Sequence, residues 1–124
     1  MIVKYPHYSY VREWFWDNFT PKEIACKGTG EIVVNYHALY MLQSARDIVN
    51  KPLYINSAYR SERYNSEIGG APMSMHLEGR AFDISLKGHD KDDIHEILKR
   101  VGFTGFGLRH KTFIHADNGR RRTW

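Results

Sequence analysis

Two imidazoles and a carboxylate are spaced in this chain as metal ligands could be. His76 and Asp83 lie seven residues apart in Ser74-Met-His76-Leu-Glu-Gly79-Arg-Ala81-Phe-Asp83, and His115 follows in Phe113-Ile-His115-Ala-Asp117. Neutral imidazole nitrogen and carboxylate oxygen suit Zn²⁺, a borderline ion that takes both at about 2.0–2.2 Å. Three protein ligands leave a fourth position open for water, which separates a catalytic zinc site from a closed structural one. The chemistry on offer is metal-assisted hydrolysis. Residue type alone leaves other readings open. A histidine in a strand is commonly a hydrogen-bonded core or surface residue, and the same donors bind several divalent ions.

Such ligands need stiff elements beneath them. Arg80 to Leu86 alternates, which predicts a strand with Ala81, Asp83 and Ser85 on one face and Phe82 and Ile84 on the other. The carboxylate then looks into a cleft while the apolar pair is buried. Thr112–Ala116 predicts a second strand, in whose frame Phe113, His115 and Asp117 share a face, and Gly105–Arg109 a third, joined to it by a tight His110-Lys111 connection. His76 falls in a loop ending at Gly79, where glycine allows close backbone approach.

Around these, Asn35 to Val49 carries apolar residues at helical spacing and is ended by Asn50-Lys-Pro52. Leu53–Tyr59 reads as a strand by its β-branched and aromatic content. Residues 61–68 predict a short helix closed by Gly69-Gly70, and residues 8–18 a partly helical aromatic stretch. Thr20-Pro21-Lys22-Glu23 has the form of a capping box, and Lys27–Gly30 that of a turn. Asp90 to Val101 places acid first and base last, as a helix dipole prefers, with Gly102 after it. Helices followed by adjacent strands imply an α+β class: a small antiparallel β-sheet with flanking helices, in one domain over residues 1–124.

Bulk composition narrows the partners. The chain is 42% hydrophobic and 26% charged with a net charge of +4, and no apolar run approaches the roughly 18–20 residues of a membrane span. Its single cysteine, Cys26, excludes an internal disulfide. Five basic residues (Arg109, Lys111, Arg120, Arg121 and Arg122) gather near the C-terminus. They favour an anionic partner such as the bacterial cell wall, while no interleaved pattern supports nucleic acid. Met1–His7 lacks the layout of a secretory signal, so the chain is expected to be made without an export address or to have lost one.

The segments Ser57-Ala-Tyr-Arg60-Ser61, Asn65, Ser74-x-His76-x-x-Gly79-x-Ala81-x-Asp83 and Phe113-Ile-His115-Ala-Asp117 resemble, in order, motifs of the zinc D-alanyl-D-alanine carboxypeptidase family. That family shares a fold with murein endopeptidases and the hedgehog signalling domain. The likeness spans about residues 19–124, takes in the Phe19–Gly30 segment and the Phe113–Trp124 ending, and is nearest to small phage-type peptidoglycan peptidases.

The resemblance implies His76, Asp83 and His115 as Zn²⁺ ligands and Arg60 as the arginine that meets substrate near the scissile carbonyl. Ser74 would hold the ligand loop or meet substrate, and Tyr59 and Tyr64 would wall the cleft. Many relatives carry a carboxylate three residues before the last histidine ligand, where this chain has Thr112. His110, or Asp117 on the ligand's own strand face, would then handle protons.

The function implied is hydrolysis of D-amino-acid-containing peptide bonds of peptidoglycan, as carboxypeptidase or endopeptidase, at the cell wall or periplasm and in the manner of a phage lysin. The alternative is a catalytically silent, zinc-containing module that binds cell wall or protein.

Overall fold

The structure, a computed structural model, describes residues 1–124. In chain order, strand β1 (Ile2–Tyr5) precedes helix α1 (Pro21–Ile24), strand β2 (Ile32–Asn35) and helix α2 (Tyr36–Val49). Strand β3 (Ile55–Ser57), helix α3 (Glu62–Glu67) and strand β4 (Ala81–Ser85) follow. The chain closes with helix α4 (Lys91–Arg100) and strands β5 (Gly105–Gly107), β6 (Phe113–Asp117) and β7 (Arg122–Thr123). The fold is α+β. A five-stranded sheet runs in the order β3-β4-β6-β5-β7, and β1 pairs with β2 in a separate ribbon. All pairs are antiparallel except β5 with β7, so the expected antiparallel sheet has one parallel edge.

Local chemistry accounts for most boundaries. At α1 both halves of the capping box form: the Glu23 amide donates to Thr20 Oγ1 at 3.2 Å, and the Thr20 amide to Glu23 Oε1 at 3.0 Å. Asn35 caps α2 through its side chain, and Asn50 ends it in the left-handed conformation at φ 55°, which asparagine tolerates. Phe82 and Ile84 of β4 and Ile114 and Ala116 of β6 bury their side chains in one apolar cluster with Leu39 and Leu42 of α2 and Ile94 and Leu98 of α4. Each large side chain so buried contributes roughly 1.5–3 kcal/mol. The opposite faces of β4 and β6 are thereby left to carry polar groups.

Two expectations are corrected and a third, the partly helical aromatic stretch, holds over three residues only. The Leu53–Tyr59 strand shrinks to Ile55–Ser57, because the next backbone groups bond elsewhere. The Ala58 carbonyl accepts from His76 Nδ1, the Tyr59 amide donates to the Ile24 carbonyl, and the Arg60 amide donates to the His76 carbonyl. The aromatic stretch 8–18 holds only a 3-10 turn at Tyr8–Tyr10. Beyond it fully buried Trp16 anchors irregular chain, and the Trp14 indole donates to the Phe19 carbonyl at 2.8 Å. The β5–β6 connection is longer than His110-Lys111. The Leu108 amide bonds to the Trp124 carbonyl, and Lys91 Nζ donates to the carbonyls of Leu108 and His110.

Strands β1, β2 and β7 had no expectation behind them. In β2 all four residues are buried, so alternation, the usual sign of a strand, is absent.

Candidate metal centre

Strand register does the first part of the assembly. In the antiparallel β4–β6 pair, Asp83 lies directly opposite His115. Facing residues in such a pair have Cβ atoms about 4.5–5.5 Å apart, so carboxylate and imidazole meet across the strands. The third donor arrives from before β4. Met75–Glu78 forms a 3-10 turn rather than open loop, and Ser74 caps it by accepting from the His76 amide at 3.2 Å. Gly79 ends the turn at φ 68°, and a Cβ there would stand 2.9 Å from Val33 Cγ1. Only glycine meets both demands without strain. His76 is buried as a result.

One donor atom each from His76, Asp83 and His115 comes to within 4.8 Å of the others. His76 Nε2 and His115 Nδ1 stand 3.2 and 3.1 Å from the same oxygen, Asp83 Oδ1.

Each of the three is held from behind. His76 Nδ1 lies 2.6 Å from the Ala58 carbonyl, which can only accept, so Nδ1 carries a hydrogen and Nε2 is the atom turned to the centre. His115 Nε2 donates to Asp117 Oδ2 at 2.7 Å, which leaves Nδ1 facing the centre. Arg60 Nη2 donates to Asp83 Oδ2 at 3.1 Å and turns Oδ1 inward. Two imidazoles and a carboxylate, their outer atoms satisfied and their inner atoms convergent, fit a divalent ion such as zinc, which would take the inner nitrogens in their deprotonated form.

The other residues singled out in the sequence divide between the centre and its surroundings. Arg60 is drawn into a fork with Ser57 Oγ (3.0 Å), Asn65 Oδ1 (3.2 Å) and Asp83. Asp117 is fully buried and accepts four hydrogen bonds, from His115, from the Gly119 amide and two from Arg122. His110 sits on the exposed β5–β6 connection, its ring stacked on Phe113 with centroids 4.0 Å apart, and makes no hydrogen bond to the three donors. Tyr59 and Tyr64 are half-buried. Thr112 is exposed.

Two residues that touch this network, Arg122 and Trp124, had no role assigned from sequence. The available sign was the Gly105-Phe-Gly107 spacing, which removes side chains from one face of β5.

Charge within the network follows from these contacts. Burial alone would raise the Asp83 carboxyl, but hydrogen bonds from His115 and His76 and their charge hold it well below the usual carboxylate range. At Asp117 burial is likewise outweighed, by His115, Arg122 and the Gly119 amide. His115 moves the other way: burial disfavours its cation, and Asp117 and Asp83 overcome that and raise its value.

Carboxyls depressed on folding contribute stability that is complete above their unfolded value near 3.9 and is lost as pH falls below it. An imidazole raised on folding contributes stability that is complete below about 6.5 and is lost as pH rises through its folded value. Protein stripped of divalent metal by a chelator is therefore expected to show its highest urea midpoint between about pH 4 and 6.5. A midpoint still rising above that window would contradict the placement of His115 between two ionised carboxylates.

Residues 17–117 match the family model described as Peptidase M15. Over 91 residues the chain is 31% identical to a zinc D-Ala-D-Ala carboxypeptidase of Streptomyces albus G, an alignment covering 69% of this chain and 36% of that protein. The chain thus spans about a third of the length of that curated relative.

Proposed function

Because the chain belongs to the peptidase M15 family, we propose that it is a zinc peptidase acting on D-amino-acid-containing peptides of bacterial peptidoglycan. Its metal ligands would be His76 Nε2, Asp83 Oδ1 and His115 Nδ1, within one domain acting at the cell wall. The observation that carries this reading is the convergence of those three atoms while every outer atom of the same side chains is hydrogen-bonded. The similarity to a zinc carboxypeptidase supports it from a separate direction.

Bound there, zinc supplies a Lewis acid for the scissile carbonyl and lowers the pKa of a water to about 7. The protein supplies the rest. Arg60 fixes Asp83 and has N–H groups to spare for a substrate carboxylate or developing oxyanion. Ser74 holds the turn that presents His76. Asp117 already accepts four hydrogen bonds from three partners, so proton transfer is assigned to His110. In His110→Gln, kcat is expected to drop about 10²–10⁴-fold with zinc affinity unchanged. An unchanged kcat would remove His110 from the reaction.

The direct test is incubation of zinc-loaded protein with purified muropeptides and identification of the products by mass. Release of terminal D-alanine would indicate a carboxypeptidase, and opening of a cross-link an endopeptidase. Either should stop with a chelator and resume with zinc.

A second reading, a silent binding module, is favoured by Thr112 in place of a carboxylate and by the burial of Asp117. Intact muropeptides with one zinc bound per chain would select it.

A further inference from the structure

Strand β5 lies between the ligand-bearing strand β6 and the C-terminal strand β7. Its residues facing the centre are glycines: Gly107 is paired with His115, and Gly105 with both Asp117 on one side and Arg122 on the other. With no side chains on that face, groups from β7 reach over β5 to β6. A Cβ on Gly105 would fall 2.2 Å from Asp117 Oδ1 and 2.4 Å from Arg122 Nη1. One on Gly107 would fall 3.0 Å from the Trp124 indole and 3.1 Å from His115 Cβ. The gap is thus filled by two contacts rather than by solvent.

Through that gap Arg122 grips Asp117 with both arms, Nη1 to Oδ1 at 3.0 Å and Nη2 to Oδ2 at 2.8 Å. A bidentate fork of this kind fixes the carboxylate plane as well as its distance. Oδ2 also accepts from His115 Nε2. The Trp124 ring covers the assembly, 4.6 Å from the Arg122 guanidinium carbon and 5.0 Å between centroids from the His115 ring. The Trp124 amide and carbonyl bond to Phe106 and Leu108, which ties this cover to β5.

We propose that Arg122, clamped under Trp124, is a positioning residue for the metal: its grip on Asp117 fixes the His115 tautomer and ring angle that aim Nδ1 at His76 and Asp83. The proposal rests on the zinc reading above and extends it to a residue that touches neither metal nor substrate.

The test compares zinc affinity, by competition with a chromophoric chelator, in wild type, Arg122→Ala and Arg122→Lys, with Arg121→Ala as an exposed control. Arg122→Ala is expected to bind zinc about 10–100-fold more weakly. Arg122→Lys keeps the charge but loses the fork, and should fall between it and wild type. If Arg122→Ala does not fold, the lysine variant carries the comparison.

A second readout, which a merely structural brace would not move, is metal–nitrogen coupling in isotope-labelled, cadmium-loaded protein. In wild type the His115 ring should couple through Nδ1 and not Nε2, alongside His76 Nε2, and in the variants the His115 coupling should be mixed or lost. Folded Arg122 variants with wild-type affinity and Nδ1 coupling would overturn the proposal, whether or not the protein cuts muropeptides. Wild type that binds zinc but cuts nothing would overturn only the peptidase reading.

Discussion

His76→Ala is expected to abolish metal binding at the centre and hydrolysis with it. The loss should exceed the roughly 10–100-fold that follows from removing a residue that only supports a ligand. Of the three donors His76 is the most enclosed, 2% exposed, and no neighbouring histidine, cysteine or carboxylate joins the cluster to replace it. The fold should survive. His76 sits on a short turn outside the apolar cluster, and the residues that bury β4 and β6 are untouched.

The measurement pairs zinc content per folded chain with muropeptide cleavage, and circular dichroism checks that the chain is native. A folded variant retaining stoichiometric zinc and wild-type cleavage would remove His76 from the centre. One that kept zinc but lost cleavage would place His76 in the reaction rather than in the coordination.

Asp117→Ala should have the largest effect on stability. The carboxylate is fully buried, and its four hydrogen bonds join β6, the following turn and β7. Its removal leaves the His115 Nε2–H and the Arg122 guanidinium without their acceptor. Breaking one side of a buried pair costs about 3–5 kcal/mol, and the partial exposure of Arg122 puts the expectation at the lower end. Against a total of roughly 5–15 kcal/mol for a domain, that is a large share.

Urea unfolding at neutral pH measures it directly. The exposed Arg63–Glu67 pair provides the contrast, since Arg63→Ala should shift stability by no more than about 0.5 kcal/mol. A loss of less than about 1 kcal/mol for Asp117→Ala would mean that the network is not held as described.

The sequence by itself determined the donor types and the local frame around them. Alternation from Arg80 to Leu86 separates Asp83 from Phe82 and Ile84, because a strand sends successive side chains to opposite faces. Thr20 and Glu23 announce the start of α1, and the apolar spacing of Asn35–Val49 announces α2, because capping and helical periodicity act within a few residues.

What lies between strands was decided only by tertiary structure. Nothing local to Asp83 states that it pairs with His115 rather than with a residue one place along, and a slip of one residue would turn the imidazole to the other face. The truncation of β3 has the same origin. Its residues favour a strand, yet the carbonyl of Ala58 is taken by His76, and the amides of Tyr59 and Arg60 by the carbonyls of Ile24 and His76.

Asp117 shows the limit most clearly. Its place beside His115 is readable from spacing, but its commitment to Arg122 requires β7 to dock against β5 and two glycines to open the face between them. Contacts across three strands depend on register and on side chains that are missing, and neither leaves a periodic mark in the residues it joins.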